Sequence, residues 1–322
     1  MKGMTVVILF QHIWGKPLLK NMMPYLMIAA GASLWGIIAL FVKGLGEYGF
    51  TPMEIVAIRV IVAALVLLII GAVRLRKKMK LKKWTDIRFF IGTGIFSVVF
   101  FNYCYFTTIG QMNISIAVIL LYTSPAFVTI LSYLFLKEKL TLNKIIAVFG
   151  TIIGCVLIAG LTMGDGTITF IGIITGLGAG LGYALYTIFS KFALMKYEPY
   201  TITLYTFVVA AIALIPVTQL WNKYENLLDV NVLLYSIGLG LIPTVLAYFI
   251  YTWGLEKIEG SKAAIIATVE PVVATMLGVL LYGERLTFIQ IIGALFILGS
   301  VIIVNMTFRK RSLSQHDGLK IE

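Results

Sequence analysis

Two charged side chains of this 322-residue chain stand well inside long apolar runs, Arg59 within 53–73 and Glu270 within 263–282. If the second run crosses a bilayer, Glu270 lies roughly 10 Å deep at about 1.5 Å per residue. A charged carboxylate there costs about 2.5–3.5 kcal/mol. A carboxyl group in that position is suited to taking up and releasing a proton. Pro271 follows it, lacks an N–H and loosens the preceding turn, so the same carboxyl could instead only bond the freed backbone. Arg59 needs partners if it is buried. Glu54 is five residues earlier and points about 140° away on a helix, which makes a direct pair poor. Arg59 therefore either faces a wet cavity, where its planar fork suits a solute carboxylate, or snorkels to an interface.

Polar and aromatic residues recur at helical spacing. Asn102 and Tyr105 are three apart and share a face, as do Tyr248 and Tyr251. With Trp35 and Tyr183 they suggest the lining of a central cavity for an amphipathic or aromatic solute. The competing reading is an interfacial aromatic belt, which suits span ends such as Trp253 better than positions well inside a run. Pro125 and Pro271 sit within two long apolar runs, where a proline permits a bend. They read equally as gating hinges or as static kinks. Gly150 and Gly154, Gly172 and Gly176, and Gly178 and Gly182 have the four-residue spacing that permits close helix approach.

Other chemistry finds little support. The glycines at 176, 178, 180 and 182 do not form a nucleotide fingerprint, and no phosphate-binding loop is present. Zinc-ligand spacing is absent, His12 and His316 are terminal, and Cys104 and Cys155 lie in apolar stretches. No cofactor, metal or catalytic triad is expected, and the chain does not read as an enzyme.

The elements that must hold these residues are membrane spans. Hydrophobic residues make up 60%, charged residues 12%, and the mean hydropathy is +0.99, against about 45–50% and about 25% in soluble domains. Ten runs approach the roughly 20 residues a spanning helix needs: 24–42, 53–73, 89–108, 115–136, 143–161, 169–190, 201–220, 232–253, 263–282 and 288–306. Of the 26 lysines and arginines, 22 fall in one alternating set of loops and ends. Only Lys43, Lys223 and Arg285 fall in the other set. Positive residues mark the cytoplasmic side, so a cell-membrane protein with both termini cytoplasmic is expected. The net charge of +12 thus reads as topology rather than as nucleic-acid binding. Residues 1–23 are expected to form an N-terminal cytoplasmic segment, in which Val6–Phe10 is too short to span. Residues 307–322 are expected to form a cytoplasmic tail.

The chain repeats itself. The run AVILLYTSPAFVTILSYLFLKEKLT from Ala117 aligns without a gap on AAIIATVEPVVATMLGVLLYGERLT from Ala263. Pro125 falls on Pro271, Glu138 on Glu284, Asn102 on Tyr248, Tyr105 on Tyr251 and Ser124 on Glu270. Trp35 and Tyr183 match upstream. The halves, 24–161 and 169–306, hold five spans each. An odd number reverses the entry side, so the expected fold is an all-α polytopic membrane protein of ten helices in two inverted five-helix repeats. Inverted repeats place a substrate site near the midplane between them. The Glu138 and Glu284 turns are expected to cap helix starts and to pair with nearby lysine or arginine.

At Ser33–Gly36 (SLWG), Thr51–Leu65 (TPMEIVAIRVIVAAL), Glu138–Thr141 (EKLT) and Val269–Thr287 (VEPVVATMLGVLLYGERLT), the chain resembles the drug/metabolite transporter superfamily in its ten-helix EamA-type branch. The resemblance runs from about Pro24 to Asn305. It implies secondary transport, often export, of amino acids or other small metabolites. The partners implied are a small-molecule substrate and the lipid bilayer, with the chain a monomer or homodimer. Two other readings are a membrane-embedded lipid-modifying enzyme, which would need a cluster of intramembrane nucleophile, base or metal ligands, and a non-transporting scaffold.

Overall fold

The computed structural model describes residues 16–160, 168–283 and 285–306. The amino-terminal stub with His12, the residue Glu284 and the tail with His316 lie outside them. Among the described residues ten helical spans are long and apolar enough to cross a membrane. They are α1 Met22–Glu47, α2 Pro52–Arg74, α3 Trp84–Gln111, α4 Ile114–Phe135 and α5 Leu142–Ala159, then α6 Phe170–Leu194, α7 Pro199–Thr218, α8 Val230–Lys257, α9 Gly260–Leu281 and α10 Phe288–Asn305. These are the ten runs expected, with the largest shifts at the end of α1 and the start of α3.

Local sequence explains where spans begin. The Thr51 side chain accepts from the Glu54 amide and the Glu54 carboxylate accepts from the Thr51 amide at 2.7 Å, with Pro52 in the first turn, where its missing N–H costs nothing. Thr287 and Gln290 repeat the device at α10. The hydroxyl oxygens of Thr141 and Thr169 accept the Lys144 and Gly172 amides in the first turns of α5 and α6.

Five spans depart from regular α-helix. α1 turns at Gly36 and Ile37, α4 at Tyr122 and Thr123, and α9 at Thr268. α3 carries a π-helical segment, Gly92–Val99, and α8 carries another, Leu241–Leu246. The interruptions in α4 and α9 fall at matched points of the repeat. This changes how the two prolines act. Pro125 lies in the first turn of Ser124–Phe135 and Pro271 in the first turn of Val269–Tyr282. Amides in a first turn have no intrahelical partner, so neither proline releases a hydrogen bond from a continuous helix. The breaks come just upstream. There the Thr123 hydroxyl donates to the Leu120 carbonyl and the Thr268 hydroxyl to the Ile265 carbonyl, both at 2.6 Å, satisfying groups that lipid cannot.

Packing partners exchange between the halves. α1 packs on α8 as α6 packs on α3, and α2 meets α8 as α7 meets α3. α2 with α7, α4 with α9 and α5 with α10 each pair with their own counterpart. The α5–α10 contact is backbone to backbone: a Cβ on Gly154 would meet the Gly293 carbonyl oxygen at 2.7 Å, and one on Gly293 would meet that of Gly154 at 2.7 Å. The spaced glycines of α6 likewise face neighbours, Gly176 against Leu120 and Gly182 against the backbone of Phe101. Residues such as Ile69, Phe149, Val217 and Leu280 leave an apolar outer surface.

Polar ties join the halves at both ends. At the lysine-rich end Lys78 pairs with Glu198 at 2.6 Å and Lys196 with Asp86 at 2.7 Å. The Glu138 carboxylate accepts from the Gly260 and Ser261 amides and the Ser261 hydroxyl, capping α9, and pairs with Lys144 at 3.4 Å. At the other end Lys223 pairs with Glu54 at 2.8 Å and donates to the Gly49 carbonyl. Glu54 is thus engaged with Lys223 rather than with Arg59.

Candidate functional site

The turns in α1 and α9 meet at the centre of the bundle. A Cβ on Gly36 would touch the Glu270 carbonyl oxygen and the Ala274 amide, both at 3.1 Å. α6 approaches the α4 turn through Gly180, whose Cβ would meet the Leu120 carbonyl oxygen at 2.9 Å. Small residues thus bring three span breaks together around the side chains described next.

Glu270 is the second residue of Val269–Tyr282. Its carboxylate accepts the Tyr183 hydroxyl at 2.9 Å. Tyr122, from the α4 turn, brings its hydroxyl to the same carboxyl, and the Arg59 guanidinium acts on it electrostatically. The free amides at a helix start also favour a negative group. Its repeat counterpart Ser124 is buried and uncharged, so the carboxyl exists in one half only. Glu270 as a whole residue is half-buried.

Across from it, Arg59 is 4% exposed. The guanidinium faces the Tyr248 hydroxyl. Among the described residues it forms no ion pair, and its Nε has no hydrogen-bond partner. Trp35 is buried with an unpartnered indole N–H as well. The indole ring lies 5.0 Å from the rings of Tyr248 and Tyr251 and 5.9 Å from that of Tyr183. The Tyr251 and Thr187 hydroxyls share a hydrogen bond of 2.7 Å, as do those of Tyr186 and Thr252. These bonds orient the rings, while Trp35 Nε1 and Arg59 Nε, each beside Tyr248, have no partner among the described residues.

The residues singled out from sequence therefore divide. Trp35, Arg59, Tyr183, Tyr248, Tyr251 and Glu270 converge. Tyr105 reaches the group through Phe101, on which its ring stacks at 5.9 Å, and Phe101 meets Tyr183 edge-on at 5.6 Å. Asn102 is buried and gives its amide to the Val98 carbonyl at 2.7 Å, serving the π segment of α3. Pro125 and Pro271 sit beside the α4 and α9 breaks. Spacing missed Tyr122, Phe101, Tyr186 and Phe207, whose ring packs on Tyr248 at 5.1 Å. Tyr186 had a signal, since it follows Tyr183 by three and shares its face. Tyr122 aligns with Thr268 at the break, which only the folded chain reveals.

Comparison with known proteins agrees with this architecture. A protein of known crystal structure superposes with a TM-score of 0.72 at 16% identity, over 88% of this chain and 96% of that one, which speaks to the fold alone. An uncharacterized transporter of Archaeoglobus fulgidus is 29% identical over 287 residues, covering 88% of this chain and 99% of its own length. The uncharacterized transporter YwfM of Bacillus subtilis is 27% identical over 298 residues, covering 90% and 96%. The profile of the EamA-like transporter family matches twice, at residues 22–160 and again at 170–306. With both halves matched, the chain belongs to the EamA-like transporter family and is a multi-pass membrane transporter of small molecules.

Proposed function

We propose that the protein is a secondary transporter that carries small carboxylate-bearing metabolites, amino acids among them, by alternating access. Two inverted halves move around the site of Trp35, Arg59, Tyr183, Tyr248 and Tyr251, with Asn102 and Tyr105 on its flank, and Glu270 exchanges a proton. Both termini are cytoplasmic and the protein sits in the cell membrane, as the lysine and arginine bias supports. Export is the direction the family resemblance implies. Pro125 and Pro271 stiffen the half-spans that pivot at the adjoining breaks.

One observation carries this reading. Two buried donors, Arg59 Nε and Trp35 Nε1, lack partners beside one tyrosine ring, in a site that also holds a carboxyl group. Buried polar groups are normally hydrogen-bonded, so the pair suits a solute that brings its own acceptor. The aromatic rings suit a flat apolar body.

Labelled amino acids and other metabolites, presented to reconstituted vesicles with and without a pH gradient, test the proposal. Arg59→Lys keeps the charge and removes the planar fork. It is expected to weaken uptake of carboxylate solutes by roughly ten- to a hundredfold, the value of a charged hydrogen bond, and to spare their amides. A carried carboxylate whose uptake ignores Arg59→Lys would overturn the assignment.

A further inference from the structure

A concavity lies away from the central site. It is a groove of about 650 Å³ between α2 and α8, ended by the start of α7. Leu67 forms part of its buried floor, while Ile70, Leu246 and Phe249 are 38%, 45% and 38% exposed along its mouth. The walls are apolar along the spans. Polarity enters only at the lysine-rich end, where Lys78, Glu198, Trp253 and Glu256 form the rim.

Such a groove faces lipid along its length, so its occupant comes from the membrane rather than from water. An acyl chain fits an apolar trough of this kind. The rim specifies the headgroup. Lys78 and Glu198 form an ion pair at 2.6 Å, and Glu256 pairs with Lys257 at 3.2 Å. Two carboxylates at one rim stand out in a chain with 26 basic and 14 acidic residues. Each carboxylate has a lysine partner, so the rim carries both signs and a purely anionic headgroup would match only half of it. A headgroup carrying phosphate and a primary ammonium meets its complement instead, with phosphate toward Lys78 and ammonium N–H groups toward Glu256 and Glu198. A quaternary ammonium has no N–H to donate. Trp253 at the rim is the aromatic that suits headgroup level.

We propose that this groove holds one acyl chain of an ethanolamine phospholipid from the leaflet at the lysine-rich end, with its headgroup read by Lys78, Glu198 and Glu256. The lipid lies against the π-helical segment of α8, since Leu241, Ile242, Val245 and Leu246 all line the groove. It therefore contacts the distorted turn just before Tyr248. This site stands independently of the solute pathway.

The full-length protein is reconstituted in equal mixtures of chain-matched ethanolamine, choline and glycerol phospholipids. Retained lipid is then read by native mass spectrometry. The ethanolamine lipid is expected to be retained over both others by roughly two- to fivefold, the worth of a partly exposed ion pair. Glu256→Gln, an uncharged variant at the rim, is expected to erase that preference. Leu246→Trp, which fills the mouth, is expected to lower retention of the ethanolamine lipid. Equal retention of all three lipids, stronger retention of the glycerol lipid, or unchanged retention in Leu246→Trp would each refute the proposal.

Discussion

Glu270 accepts the Tyr183 hydroxyl, and the Arg59 guanidinium faces the Tyr248 hydroxyl in the same site. Substituting Glu270 by Gln keeps an acceptor for the Tyr183 hydroxyl and removes the exchangeable proton. Flux driven by a pH gradient is expected to fall by roughly ten- to a hundredfold, the value of a charged hydrogen bond, while solute-for-solute exchange at equal pH persists. Uptake in vesicles under both regimes checks this, and unchanged acid stimulation of the variant would remove Glu270 from the coupling. These residues were legible because a charge inside an apolar run is conspicuous whatever surrounds it. Tyr122 was not, since Tyr is common in this chain, with 16 in all, and nothing local marks one that meets a carboxyl from another span. Asn102 shows the reverse difficulty. Spacing gives its face, but the bond to Val98 depends on the π segment, which leaves no trace in periodicity.

At the scale of the elements, the spans followed from apolar length and the capping threonines sharpened their ends. The breaks did not follow, because a turn at Thr268 differs from regular helix by a single residue in an otherwise apolar run. The prolines pointed to the right neighbourhood and to the wrong atoms: their rings start the second half-spans rather than bend continuous ones. The α5–α10 contact is the clearest place to test packing. Gly154→Leu puts a branched side chain against the Gly293 carbonyl oxygen and Ile297. Overpacking of this kind costs about 1–3 kcal/mol, so the melting temperature in detergent is expected to drop. A variant as stable as the parent would show that α5 and α10 separate freely.

For the whole molecule, ten antiparallel spans in two matched halves were readable from hydropathy, basic-residue placement and the gapless alignment around Pro125 and Pro271. The way the halves nest was not, since it depends on side chains meeting across helices far apart in sequence. Sidedness can be checked by labelling. Cys104 and Cys155 are buried, so the natural background is quiet. Lys77→Cys is expected to react only with reagent inside the cell and Asn222→Cys only with reagent outside. Reaction of both from one face would dismantle the inverted arrangement. The interrupted spans carry one last implication. At Tyr122 and Thr268 the helix is interrupted, and the Thr123 and Thr268 hydroxyls add a second bond to carbonyls that also accept a backbone amide. On the proposed alternating-access mechanism, a half-span swinging at such a joint would carry with it the carboxyl mounted on its first turn, so that Glu270 would change its surroundings as the halves move.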